Sequence, residues 1–242
     1  MLYTLENVRA GLRVRDGKRV FYLSPGDRLS PAAQDWLRAE GVAVVDPKDA
    51  PKGYTTVYGG SFDGKPEELT HLQGNVLIAK THPRIAFRGK IDTLEAELLL
   101  TQEAVKDRPT LVRVLEEMLT QVRGLIRADV LGEPVKEQRL CGLTPQELRE
   151  HSHFPQKYYG QPHFLPAYTD GAAILRLNRL RTAVRETELA CCHAFTDTEG
   201  RMTRPDILTA LNRLSSLCWI LMIRQKAAER PTDTNRSFNT DS

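Results

Sequence analysis

Apolar residues recur at intervals of three and four positions through most of the chain beyond residue 83. Because an α-helix repeats every 3.6 residues, this spacing places the apolar side chains of each segment on one face. The pattern predicts four long amphipathic helices, over residues 83–102, 109–128, 170–195 and 204–228. Thr144, with Pro145 after it and Glu147 three positions on, predicts the capped start of a shorter helix. Such helices favour a mainly α protein, an up-and-down bundle of about five helices.

The first 50 residues follow a different pattern, in which short apolar runs alternate with turn residues. The runs 19–23 and 42–45 predict strands, and Ser30 followed by Pro31 predicts the start of a helix over 32–40. Thr4 is positioned to cap another short helix. These elements predict a small α/β domain over residues 1–50, in front of the helical domain.

Three segments show neither the apolar spacing of a helix nor that of a strand. Residues 51–70 are rich in Pro, Gly, Lys and Asp, and they predict a linker or mobile loop before a bundle domain over 71–228. Residues 154–169 carry three prolines and predict a loop. The polar residues 229–242 predict a disordered tail.

Composition narrows the class of protein. A chain of 242 residues with 27% charged and 40% hydrophobic residues predicts a soluble globular protein with one sizeable core and an appendage. No apolar run approaches the length of a membrane span, and no secretory signal pattern is present. A net charge of +3 is too small to indicate nucleic-acid binding. The four cysteines lack C-x-x-C spacing, which favours reduced thiols in a cytosolic protein.

Candidate chemistry concentrates on the third long helix. Arg181, Arg185 and Glu188 fall at i, i+4 and i+7, so they form one stripe on one face. Two guanidiniums beside a carboxylate suit a polyanion such as a nucleotide phosphate chain. Stripes of this kind are more often solvated helix surface. The pair Asn212 and Arg213 is harder to read as surface, because apolar residues flank it and a buried arginine needs a partner.

Other catalytic patterns are missing from the sequence. No histidines or cysteines have convincing metal-ligand spacing, and neither a G-x-S-x-G nor an H-E-x-x-H motif is present. We therefore predict no protein metal site and a nucleophile supplied by a substrate or cofactor. The side chains suited to a phosphate chain are Lys80, Arg84, Arg181, Arg185, Asn212 and Arg213.

Four ordered segments resemble those of a known enzyme family. They begin with K-T-H-P-R-I, continuing to G-K-I-D, over 80–92, and R-A-D-V-L-G-E-P over 127–134. R-T-A-V-R-E-T-E over 181–188 and the L-N-R-L-S-S helix within 204–216 follow. By these segments the chain resembles the ethanolamine-utilisation corrinoid adenosyltransferases, relatives of the PduO-type ATP:cob(I)alamin adenosyltransferases. Residues 1–50 also resemble the small leading domain of the ethanolamine branch.

The resemblance implies an enzyme that transfers the adenosyl group of ATP to the cobalt of a reduced corrinoid and releases triphosphate. Cobalt would itself attack the ribose 5′ carbon, which accounts for the absence of a protein nucleophile. Mg²⁺ would be bound largely by the phosphates. The residues implied to hold ATP are Lys80, Arg84, Arg181, Arg185, Glu188 and Asn212, of which Arg181, Arg185 and Glu188 would be catalytic.

The resemblance also implies partners and an assembly. Asp92 would form a salt bridge with Arg185 across a subunit interface, so a homo-oligomer with shared active sites is expected. Either His163 or Phe164 would close the lower face of the corrin ring, the alignment leaving both open. An electron donor such as a flavoprotein reductase would reduce cob(II)alamin, and an ethanolamine ammonia-lyase would use the product. The expected location is the cytoplasm, compatible with association with a bacterial microcompartment, without membrane or nucleic acid.

The chain departs from the family pattern twice. The amino-terminal T-K-T-G-D-x-G phosphate loop is absent, so residues around Thr70–Leu72 and Gly74 replace it or nothing does. A His and Cys-Cys-x-x-Cys metal site of many ethanolamine-branch members is also absent, so no structural iron or zinc is expected.

Two rival functions fit parts of the sequence. One is a non-catalytic helical protein that binds and delivers a corrinoid or nucleotide; the phosphate-binding set argues against it. The other is a helical nucleic-acid binder using Arg176, Arg179, Arg181 and Arg185. Interleaved glutamates and the lack of stacking aromatics on that helix weaken the second rival.

Overall fold

The computed structural model describes residues 1–49 and 53–228, and its described part is mainly helical. The helices are α1 (Leu5–Gly11), α2 (Pro31–Ala39), α3 (Pro83–Ala104), α4 (Pro109–Leu131), α5 (Pro145–His153), α6 (Pro155–Tyr159), α7 (Gly171–Phe195) and α8 (Pro205–Ala228). The strands are β1 (Leu2–Tyr3), β2 (Arg13–Arg15), β3 (Lys18–Tyr22), β4 (Arg28–Leu29), β5 (Ala43–Val45), β6 (Tyr54–Thr56), β7 (Ser61–Phe62), β8 (Leu69–Gln73) and β9 (Val76–Ala79).

The four long helices form the bundle that the periodicity predicts. α3 runs antiparallel to α7, since Lys90 donates to Glu186 whereas Glu97 accepts from Arg179, both at 2.9 Å. The apolar stripes of α3, α4, α7 and α8 meet in one core. The mainly α fold and the bundle are therefore confirmed, with α3 and α4 extending two or three residues past their predicted ends.

Local capping agrees with the sequence at several helix starts. Thr144 accepts from the Glu147 backbone and Glu147 binds back to Thr144, which confirms the capping box of α5. Ser30 caps α2 and Thr4 caps α1, as the sequence predicts. These caps satisfy backbone N–H groups that a helix start leaves unpaired.

Residues 1–49 form the predicted α/β unit. Its sheet has the order β2-β3-β5, and β1 pairs separately with β4. α1 and α2 pack on it around a small core that includes Val8, Phe21 and Leu37. Leu131, at the end of α4, also packs against this cluster and so joins the unit to the bundle.

The linker predicted over 51–70 differs from the structure, which places β6 and β7 there and adds β8 and β9 in a sheet of order β7-β6-β9-β8. These strands are only two to five residues long and largely half-exposed, so they lack a clear apolar alternation. Residues 50–52 and the predicted disordered tail 229–242 lie outside the described residues. The predicted loop over 154–169 also contains a short helix, α6, which starts at Pro155 and stops at Gly160 with φ 66°.

α8 is long and apolar enough to cross a membrane by length and composition alone. In the structure its apolar residues pack into the bundle, ten of them buried. A core helix of a bundle explains this composition.

Candidate functional site

α7 and α8 run antiparallel and carry a polar seam, formed by Arg181, Arg185 and Glu188 on α7 and by Asn212 and Trp219 on α8. Two contacts fix the register. Asn212 meets Glu188 near one end, and Trp219 meets Arg181 near the other. Because the members on each helix recur at helical spacing, they line one side of the helix pair. The α7–α8 seam thus contains all three residues predicted as catalytic.

A chain of hydrogen bonds holds the Glu188 end of the seam. Asn212 Nδ2 donates to Glu188 Oε1 at 2.9 Å. Arg213 donates to Asn212 Oδ1 and also to the backbone oxygen of Pro145, the latter at 3.3 Å. The amide of Asn212 is thereby held with its N–H toward the carboxylate. Burial and the nearby charge of Arg149 lower the pKa of Arg213.

Arg181 is an under-satisfied cation at the other end. Its Nε is buried and has no hydrogen-bond partner in the described part of the chain. Its guanidinium carbon lies 5.6 Å from the ring centre of Trp219. Burial, followed by the charge of Arg185, lowers the pKa of Arg181. A bound anion would relieve both the missing hydrogen bond and the charge repulsion.

The loop that carries His163 and Phe164 packs on the same tryptophan. The ring of His163 lies 5.7 Å from that of Trp219 at an interplanar angle of 13°, and Phe164 lies at 5.4 Å and 23°. Lys226 lies 5.9 Å from the Phe164 ring and pairs with Asp170 at 2.5 Å, which helps to hold the loop. The structure therefore brings the predicted corrinoid residues next to Arg181.

Sequence reasoning missed Trp219, although a signal was present. It is one of only two tryptophans in the chain and follows Asn212 by seven residues, or about two helical turns. That spacing places both side chains on the same face of α8.

Lys80 and Arg84 lie at the other end of the bundle. The Arg84 guanidinium is 5.6 Å from the ring centre of Phe195, which ends α7. Phe195 follows Arg181 by fourteen residues, so the two are about 21 Å apart along the helix. Lys80 pairs with exposed Glu67 at 2.9 Å. Within one chain, these two residues therefore lie away from the Arg181 end of the α7–α8 seam.

Arg84 already has a partner of its own. Arg84 and Arg88 bind the two carboxylate oxygens of Asp129, which is 1% exposed, at 2.5 and 2.7 Å. Arg88 also donates to the backbone oxygens of His71 and Leu72. The structure thus gives Arg84 a part in a buried ion network that joins α3, α4 and β8.

Asp92 and Arg185 are both exposed, and neither makes an ion pair within the described residues. The nearest side-chain pairings across α3 and α7 involve Lys90 with Glu186 and Arg179 with Glu97. The predicted salt bridge between subunits stays a prediction.

The structure offers little for a protein-bound metal. In residues 1–49 and 53–228, no group of three or more His, Cys, Asp or Glu side chains is arranged to hold a metal ion. Burial raises the pKa of both Cys191 and Cys218 to about 12, which keeps these thiols protonated. Whether the protein contains structural iron or zinc stays a prediction for metal analysis.

Comparisons with known proteins agree on one family. A family model described as cobalamin adenosyltransferase matches residues 62–225. Corrinoid adenosyltransferase EutT of Escherichia coli strain K12 is 37% identical over 161 residues, which is 66% of this chain and 59% of that protein. EutT of Salmonella typhimurium strain LT2 gives the same identity and coverage. The match thus spans about three fifths of the length of these curated relatives, and no solved structure matches the chain.

Proposed function

The chain belongs to the cobalamin adenosyltransferase family, and on this premise we propose that it transfers the 5′-deoxyadenosyl group of ATP to the cobalt of cob(I)alamin. The products are adenosylcobalamin and triphosphate, and the cofactor serves cobalamin-dependent ethanolamine utilisation. The observation that carries this proposal is the α7–α8 seam, where a buried guanidinium nitrogen of Arg181, without a hydrogen-bond partner among the described residues, lies beside an aromatic stack. The guanidinium suits a polyanion, and the aromatic stack suits a flat macrocycle.

Arg181 and Arg185 hold the triphosphate in this proposal. In the step itself, a cobalt–carbon bond forms at the ribose 5′ carbon as the carbon–oxygen bond breaks, and the electron pair leaves with the triphosphate. Guanidiniums already in place stabilise that departing charge without reorganising. Glu188 is oriented by the hydrogen bond from Asn212 at 2.9 Å. Its carboxylate accepts a hydrogen bond from a ribose hydroxyl or orients the two arginines.

Mg²⁺ accompanies ATP and neutralises charge on its phosphates. The seam contributes one carboxylate, Glu188, which already accepts a hydrogen bond from Asn212. This donor set fits a Mg²⁺ ion that is held mainly by phosphate oxygens and water rather than by a protein cage.

The His163–Phe164 loop closes the lower face of the corrin. Both rings stack on Trp219, so the loop and α8 form a continuous aromatic surface next to Arg181. Such a surface excludes water from the cobalt and removes an axial ligand, which makes reduction of the cobalt easier. The aromatic stack supports the placement for either residue.

A complete ATP site draws on two copies of the chain. Lys80 lies four residues before Arg84, which contacts Phe195 about 21 Å along α7 from Arg181, so we infer that one triphosphate does not span Lys80 and Arg181 of the same chain. We therefore propose a homo-oligomer in which Lys80 of one subunit faces Arg181 of the next, with Asp92 pairing to Arg185 across the interface. Arg84 remains a predicted ATP contact, although its pairing with Asp129 favours a positioning role.

The chemistry also sets the class of partners. Cob(II)alamin must gain an electron before transfer, so a flavoprotein reductase or another low-potential donor supplies it. An enzyme that uses adenosylcobalamin, here an ethanolamine ammonia-lyase, consumes the product. These partners place the protein in the cytoplasm, in or near a bacterial microcompartment.

An anaerobic assay tests the proposal. Purified protein is mixed with Mg²⁺, ATP and chemically reduced cobalamin, and the Co(I) spectrum and the triphosphate are followed together. We expect the Co(I) spectrum to disappear with one triphosphate released per adenosylcobalamin formed. Tight binding of both substrates without triphosphate release would instead establish the non-catalytic delivery protein.

A further inference from the structure

A second cleft lies between the amino-terminal unit and α4, away from the α7–α8 seam. It has a volume of about 690 Å³ and is lined by Arg9, Trp36, Gln121, Gly124, Arg127 and Lys136, among others. Small-molecule sites commonly enclose about 300–1,000 Å³. Six of the eight residues of the R-A-D-V-L-G-E-P segment line the cleft, the exceptions being Asp129 and Val130. The proposed reaction gives this segment no role beyond Asp129.

Positive charge exceeds negative charge in the cleft. Its two carboxylates, Glu40 and Glu133, both pair with Arg19, at 3.1 and 3.6 Å. Glu133 also pairs with Arg127 at 3.5 Å. The remaining cations, Arg9 and Lys136, are exposed and make no ion pair within the described residues. They leave a net attraction for an anion.

A glycine in the middle of α4 faces this cleft. Gly124 lies within Pro109–Leu131, where glycine costs about 1 kcal/mol relative to alanine. A Cβ at this position would meet no atom of the described residues within 4 Å, so no packing contact among them requires a glycine. A bound molecule that lies close to the helix backbone would explain why a glycine occupies this position.

Gln121 adds an unsatisfied acceptor to the same wall. The residue is 9% exposed, and its Oε1 has no hydrogen-bond partner among the described groups. A buried amide oxygen without a donor costs about 1–3 kcal/mol. A ligand N–H or O–H would remove that cost.

We propose that this cleft binds a phosphate-bearing small molecule, a second ligand site apart from the α7–α8 seam. Arg9 and Lys136 hold the phosphate, the indole of Trp36 borders the ligand, and Gly124 leaves room for it. Nucleoside phosphates and inorganic polyphosphates share the phosphate chemistry. The Gln121 oxygen, which lacks a donor among the described groups, favours a nucleoside phosphate, because the base of a nucleoside brings N–H donors.

The two sites are separated along α8. Arg204, next to the start of this helix, donates to the backbone oxygens of Ala128 and Glu133 at the cleft wall. Trp219 lies fifteen residues further on, about 22 Å along the helix. Ligand in the cleft therefore does not overlap the aromatic stack of the seam.

The two tryptophans make each site observable separately. Trp36 lines the cleft and Trp219 lies in the seam, and the chain has no other. In the Trp219→Phe variant, tryptophan emission reports the cleft alone. This variant is titrated with AMP, with inorganic triphosphate, and with KCl at matched ionic strength.

We expect a saturable change in Trp36 emission with at least one phosphorylated probe and none with KCl. The probe that binds identifies the source of the phosphate. Adding Lys136→Ala to the Trp219→Phe variant should raise the Kd of the phosphorylated probe about tenfold, because one charge-assisted hydrogen bond is lost. Gly124→Leu should abolish binding by filling the cleft. Arg113→Leu, at an exposed position of α4 outside the cleft, is the control and should leave binding unchanged.

Calorimetry of the chain with both tryptophans provides a second measurement, in which Gly124→Leu should remove one phosphate-dependent binding event. No saturable emission change with either probe, or equal losses in Gly124→Leu and Arg113→Leu, would overturn the proposal. Neither readout depends on adenosyl transfer. A failure here is therefore distinguishable from a failure of the proposed reaction.

Discussion

At the scale of single residues, Trp219 has the largest role that the sequence analysis did not assign. It contacts the guanidinium of Arg181 and also the rings of His163 and Phe164. One side chain therefore joins the proposed phosphate site to the proposed corrin site. Its neighbours along the chain gave no sign of these partners, because they come from segments 38 and 55 residues away.

Replacing Trp219 tests this junction. Trp219→Ala should raise the KM for the corrinoid about tenfold, with a smaller effect on the KM for ATP, because the loop loses its stacking partner. Trp219→Phe should restore most of the corrinoid KM. Steady-state kinetics with each substrate varied would separate the two. Equal changes in both KM values would argue against a corrin-facing stack.

Asp206 provides a pH-dependent contribution to stability. Burial alone would raise its pKa, but hydrogen bonds from Arg204 and from the backbone of Val135 outweigh burial and lower the pKa from 3.8 to about 2. Since the folded pKa is the lower one, this stabilisation is present above about pH 4 and is lost as the pH falls toward 2.

The Asp206→Asn variant measures that contribution. At neutral pH it should lose up to about 2 kcal/mol of unfolding free energy, and the difference from the unaltered protein should shrink between pH 4 and 2. Urea unfolding at a series of pH values gives this difference directly. A difference that is constant over that range would show that the carboxylate is not responsible.

At the scale of elements, Asp129 ties α4 to α3 and to the β8–β9 hairpin. Arg84 and Arg88 share its buried carboxylate, and Arg88 continues to the backbone of β8. Removing one partner of a buried ion network leaves the others uncompensated, at a cost of about 3–5 kcal/mol.

We therefore expect Asp129→Ala to lower the free energy of unfolding by about 3 kcal/mol or more. The substitution should also speed backbone hydrogen exchange in β8 and β9 more than in the rest of the sheet. Asp107→Ala, an exposed aspartate between α3 and α4, is the matched control and should change stability by less than about 0.5 kcal/mol. Similar losses of unfolding free energy in the two variants would show that Asp129 contributes no more to stability than an exposed aspartate.

At the scale of the whole molecule, the account requires an active site shared between subunits. Lys80→Ala and Arg181→Ala should each be nearly inactive alone. When the two are unfolded together and refolded as mixed oligomers, about a quarter of the sites should regain both native residues, and activity should return in proportion. If mixing restores nothing, the two residues do not meet across an interface.

The sequence predicted the bundle well because α3, α4, α7 and α8 are long and strongly periodic, and α5 carries a clear capping box. It failed over β6 and β7, where strands of two or three residues carry too little pattern. The partner of Arg84 was also out of reach, since Asp129 lies 45 residues away and only the packing of α3 on α4 brings them together. Helical spacing grouped Arg181, Arg185 and Glu188 correctly, whereas their meeting with His163 and Phe164 depends on the tertiary fold.

The most direct test of the central claim is the ATP-dependent rate of adenosyl transfer in Arg185→Ala. Arg185 is exposed and makes no intrachain ion pair in the described structure, so the bundle should keep its helical circular dichroism. We predict that kcat/KM for ATP falls about tenfold or more, as expected for one lost charge-assisted contact, whereas Arg176→Ala on the exposed side of the same helix stays at the level of the unaltered protein. An Arg185→Ala protein that turns over as fast as the unaltered chain would contradict the account.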